Sequence, residues 1–137
     1  MVTVMKGLMV FTLALLAAIV FGCGMMRTES KIVPITTFNQ IEGKWQGLSK
    51  RMPDMREHAQ VIVTINDRGH FNFISDRGDG LLLGTGSLTI LNGQAMGTTS
   101  SGAGTLTLHD KGGHAVLVLE ATLNDGHHYF LEMKPMD

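Results

Sequence analysis

From residue 38 onward, apolar and polar side chains alternate in short runs, and each run ends at a cluster of Asn, Asp or Gly. "QVIVTI" (60–65), "HFNFIS" (70–75), "GTLTLH" (104–109) and "HYFLEM" (128–133) show the period of two that sends alternate side chains to opposite faces of a strand. The punctuation is "NDRG" (66–69), "DRGDG" (76–80), "NG" (92–93), "SSGAG" (100–104), "DKGG" (110–113) and "NDG" (124–126). Asn, Asp and Gly tolerate the positive φ that tight hairpin turns demand. The pattern predicts strands over 40–50, 58–66, 69–75, 82–91, 94–99, 104–110, 114–123 and 127–134. No part of this region holds an apolar stripe at helical spacing for three turns. The expected fold is all-β, an antiparallel eight-stranded up-and-down barrel whose closure removes exposed edges. A two-sheet sandwich shares the same strand count and turns.

The head of the chain has a different pattern. Between Lys6 and Arg27, residues 7–26 carry no charge, a length that also suits a membrane-spanning helix. A short basic start, an apolar stretch from about Leu8 to Phe21 and then small residues read as an export signal rather than a span. Residues 24–37, "GMMRTESKIVPITT", have no sustained period and are expected to be a short tether.

Val20-Phe21-Gly22-Cys23 resembles the lipobox of bacterial lipoproteins, although Phe21 is bulkier than usual for its slot. The resemblance implies cleavage before Cys23, which becomes the acylated first residue of the mature protein, held in a membrane by its acyl chains. Gly24 is not the aspartate that retains such proteins in the inner membrane, so the resemblance implies the outer membrane. The implied organisation is a signal peptide at 1–22, the lipidated cysteine and tether at 23–37, and one domain at 38–137.

Composition narrows the function. Export removes Lys6 and leaves 115 residues, with 10 basic and 12 acidic side chains for a net charge of −2. That balance gives no broad basic field for nucleic acid. With Cys23 acylated, no thiol remains for a disulfide, a zinc cluster or a nucleophile.

"IEGKWQG" (41–47) contains Gly43-Lys44-Trp45, which resembles the G-x-W signature on the first strand of lipocalin-like barrels. The resemblance implies that Trp45 plugs the closed end, with a basic side chain from the last strand packed over its ring. Lys134 stands in that place. The family's T-D-Y turn is not found. With Trp45 inward, strand parity sends Val61, Val63, Ile65, Phe71, Phe73, Leu88, Ile90, Leu106 and Leu108 into the lumen. On the last two strands both faces are apolar, and Leu117, Leu119, Tyr129 and Leu131 are the lumenal candidates. Such a lumen suits an apolar ligand and a solid core equally, and Gly84 and Gly86 would leave room for a ligand.

Residues with chemistry are scattered. His109 and His114 are expected to face each other across a hairpin, as half of a metal site or as a solvated pair. Met52, Met55 and His58 recur every third residue, a set that suits Cu(I) or serves as flexible apolar filler. Arg77-Gly78-Asp79 matches an integrin-binding tripeptide and equally suits an ordinary turn. Asp76 and Asp79 share a solvated tip, and His127 and His128 point to opposite faces of a strand. No nucleophile elbow, phosphate cradle or metalloprotease helix is present, so neither catalysis nor a cofactor is expected. The expected role is a lipid-anchored envelope protein binding a small apolar ligand in the lumen, through Trp45, Val61, Val63, Phe71, Phe73, Leu88 and Leu106. The alternative is a solid barrel whose loops, at 76–80 or 97–104, bind a protein partner such as an assembly factor or a hydrolase.

Overall fold

A computed structural model describes residues 29–76 and 84–137. Cys23 with the whole apolar head, and Arg77-Gly78-Asp79, lie outside the described residues. The strands are β1 (Ser30–Val33), β2 (Gly43–Arg51), β3 (Arg56–Ile65), β4 (His70–Ser75), β5 (Gly84–Leu91), β6 (Gln94–Thr99), β7 (Gly102–Lys111), β8 (His114–Leu123) and β9 (His128–Pro135). Strands β2 to β9 pair antiparallel in chain order, and β9 returns to β2. The molecule is therefore a closed eight-stranded up-and-down barrel, and the sandwich is excluded.

Its turns follow from local chemistry. Asn92-Gly93 and Gly112-Gly113 join β5 to β6 and β7 to β8 with positive φ at both positions (52° and 77°; 61° and 84°). That is the backbone twist a two-residue hairpin needs. The Gly112-Gly113 turn sets a register in which His109 faces Val116, and His114 faces Lys111. The expected His109–His114 pair is thus offset diagonally rather than opposed.

The ninth strand corrects the expected tether. β6 covers only Gly102 to Leu106 of one edge of β7, and β1 pairs with the remainder, Leu108 to Lys111. Filling that exposed edge is what makes a strand of the short Ser30–Val33 segment. Beyond β1 the chain crosses the end of the barrel. Ile35 N–H donates to the Gly93 carbonyl at 2.9 Å, a 3-10 turn forms at Phe38–Gln40, and Ile41 leads into β2. Ile35 and Ile41 are fully buried. The Phe38 ring occupies the space beside Gly69 that a Cβ would need. This end, bounded by the β3–β4, β5–β6 and β7–β8 turns, is closed by residues 34–42. The other end carries the connections after β2, β4, β6 and β8. Among the described residues no helix is long and apolar enough to cross a membrane.

Candidate functional site

Period-two parity puts the expected residues where the sequence reading sends them, inside the barrel. Trp45, Val61, Val63, Phe71, Leu88 and Leu106 are buried in one core, and Phe73 packs half-buried against it. Leu117, Leu119, Tyr129 and Leu131 join them from β8 and β9. Trp45 lies against the plug, its indole N–H donating to the Ile41 carbonyl at 2.8 Å.

Two readings change. Lys134 pairs with Gln46, out of phase with the inward pair Trp45–Pro135, and its side chain is exposed on the outer face. The indole is held by the plug rather than by a cation. Nor do the inward glycines leave room. A Cβ on Gly86 would stand 2.7 Å from the Phe71 ring, and one on Gly97 2.8 Å from it. A Cβ on Gly104 would stand 2.9 Å from Leu119. Glycine on β5 to β7 is the complement of large side chains from β4 and β8, as interdigitated interiors require. Among the described residues, an apolar cavity of about 40 Å³ lies between Phe73, Thr99, Gly102 and Leu123. Ligand pockets run to roughly 300–1,000 Å³.

The larger concavity lies outside. A groove of about 950 Å³ crosses the outer faces of β5 to β9. Its floor is two register rows. Thr89, Met96, Thr105, Glu120 and Phe130 form one, and Thr98, Ala103, Thr122 and His128 the next. Leu91 stands at one limit, and Met52 with Pro53 at the other. The Thr122 hydroxyl and His128 Nδ1 are bonded at 2.9 Å, which fixes the imidazole against the sheet. The floor is thus hydroxyl-rich and carries one carboxylate, with thioether and aromatic edges. Of the two loop regions expected to carry a partner surface, 97–104 supplies part of this floor. Sequence reading missed the rest because an outward threonine on a strand looks like any solvated position. The available signal was the recurrence of Ser and Thr at outward parity on β5 to β8.

At the open rim, Arg51, His127 and Asp125 form a chain. Arg51 donates to His127 Nε2, and His127 Nδ1–H donates to Asp125 Oδ2 at 2.9 Å. The His127 backbone N–H also donates to Asp125 Oδ1 at 3.0 Å. That backbone bond foremost, then the imidazole and the Arg51 charge, hold the Asp125 carboxyl below the ordinary 3.8. His127 lies in the turn before β9, so it is not paired with His128 on one strand.

The remaining candidates do not converge. His58 turns its ring to Tyr129, centroids 5.5 Å apart, while Met52 and Met55 are exposed on the β2–β3 connection. Among the described residues no three His, Cys, Asp or Glu side chains are grouped to hold a metal ion. Asp76 accepts the Gln60 N–H at 3.0 Å, and Asp79 lies outside the described residues. No protein-family model matches the chain, and no curated protein or solved structure is significantly similar to it.

Proposed function

We propose that this is a lipid-anchored envelope protein, seated in the outer rather than the inner membrane through acyl chains on Cys23. Its barrel is a solid, non-catalytic scaffold that binds a protein partner on the outer surface, along the β5–β9 groove and its 97–104 hairpin. The observation that carries this reading is the contrast, among the described residues, between an interior cavity of about 40 Å³ and an outer groove of about 950 Å³. A small apolar guest in the lumen would have to displace Phe71 or Leu119, each already packed against glycine, or Phe73, whose ring lies edge-on to Phe71.

Site-specific photocrosslinking in intact cells tests it. Photoreactive side chains at Thr105 and Glu120, in the groove, are expected to give a discrete crosslinked partner. The same groups at Gln60 and Asn72, outward on the far flank, are not. Equal or absent labelling at both flanks contradicts the groove as the binding surface.

A further inference from the structure

We infer that the closed end of the barrel faces the lipid bilayer, so that the open rim is presented away from it. The inference rests on the reading of Cys23 as the acylated terminus and adds an orientation to it. The carrying observation is where β1 joins the barrel. Ser30 pairs with Lys111 beside the Gly112-Gly113 turn, at the end plugged by residues 34–42. Only six residues, 24–29, separate Cys23 from β1.

Covalent geometry then limits the arrangement. Seven steps from Cys23 to Ser30 reach about 25 Å fully stretched, and the root-mean-square span of such a segment is about 15 Å. The ten residues of β7, tilted about 40° as barrel strands are, make a wall about 23 Å high. An acyl-anchored chain leaving the closed end meets the bilayer with that end at ordinary extension. Presenting the open rim instead would need the segment drawn taut along the whole wall.

A second observation agrees. Ile32 on β1 and Leu91 at the end of β5, 61% and 55% exposed, are the two most exposed large hydrophobic residues among those described. Both stand in the closed-end half, Ile32 opposite His109 and Leu91 next to the Asn92-Gly93 turn. The rim has its own exposed apolar side chains, Met52, Met55 and Ile74. They would make it the contacting end only if the tether did not decide the matter.

The test uses the full acylated protein purified from membranes and reconstituted into phosphatidylethanolamine–phosphatidylglycerol vesicles doped with a nickel-chelating lipid. Cys23 is the chain's one cysteine, so once it is acylated an introduced thiol is the sole target for a nitroxide. Labels at D67C and H114C report the closed end, and labels at D54C and S100C the rim; all four positions are exposed. Headgroup nickel is expected to relax the closed-end labels several-fold more than the rim labels. Inserting about 20 Gly/Ser residues after Glu29 is expected to shrink that difference, because the span then grows past the barrel height. Equal relaxation at the two ends, or stronger relaxation at the rim, overturns the orientation. The mass of the N-terminal peptide separates the two readings. Without acyl mass on Cys23 the anchoring fails and the orientation with it. With acyl mass and rim-first relaxation, the orientation alone fails.

Discussion

Ser49 shows how much a single hydroxyl can hold. β2 and β3 slip register between Leu48 and Lys50, leaving Ala59 outside the ladder at a bulge. The fully buried Ser49 hydroxyl donates to the Ala59 carbonyl at 2.9 Å and accepts the Ala59 N–H at 3.0 Å. Ser49→Ala orphans two buried backbone groups and is expected to cost about 1–3 kcal/mol, measured by urea unfolding; a loss within error contradicts that role. Gly86→Ala drives a Cβ into the Phe71 ring and the Thr98 carbonyl 2.6 Å away. A destabilisation of about 1–3 kcal/mol is expected from such overpacking. An unchanged or raised melting temperature would mean that the interior has slack. Asp125 gives a pH test. Its folded carboxyl is held below 3.8, so its stabilising contribution is present above that value and is lost as the pH falls through the lower folded pKa. A carboxyl-carbon NMR titration is expected to find its midpoint below 3.8 in the wild type and nearer 3.8 in Arg51→Gln; a wild-type midpoint at or above 3.8 contradicts the contact. None of these contacts is legible in sequence. A serine at a bulge and a glycine facing a phenylalanine on the neighbouring strand are statements about register, which depends on every turn at once.

At the scale of elements, most of the barrel was legible because two local signals agree. Period-two alternation fixes which side chains point inward, and Asn-Gly, Gly-Gly and Asp-Gly turns mark where strands reverse. Both operate within a few residues, and all eight barrel strands fall within a few residues of their expected bounds. β1 was not legible for the complementary reason. Ser30–Val33 is short, mostly exposed and followed by Pro34, so nothing local distinguishes it from a tether. It exists because β7 outruns β6 by half its length, a mismatch visible only after the barrel closes. The segment after it has structural weight. Ile35→Ala removes a fully buried side chain from beneath the barrel and is expected to destabilise by about 2–5 kcal/mol. An effect below 1 kcal/mol in chemical denaturation would show that residues 34–42 lie on the end without sealing it. On the outside of β8, Val116 and Val118 are buried although parity points them outward. The Lys111–Glu132 ion pair, 2.8 Å, bridges β7 to β9 across them, so the long side chains act as a cover.

For the whole molecule, closure leaves the open choice of the sequence reading, a filled or a hollow lumen. Large residues of β4 and β8 pack against inward glycines of β5, β6 and β7, and a groove of about 950 Å³ lies on the outer wall. The sequence does not show this because inward parity is the same for a glycine that leaves a void and for one that receives a phenylalanine. The most direct measurement is native mass spectrometry of the full chain, purified in mild detergent from cells that express it and released in the gas phase. The filled barrel predicts the mass of the chain with its own covalent modifications and no stoichiometric apolar guest, unchanged after incubation with a lipid extract. A guest bound one to one, extractable into organic solvent and lost when Phe73 is replaced by Trp to close the remaining cavity, would contradict it.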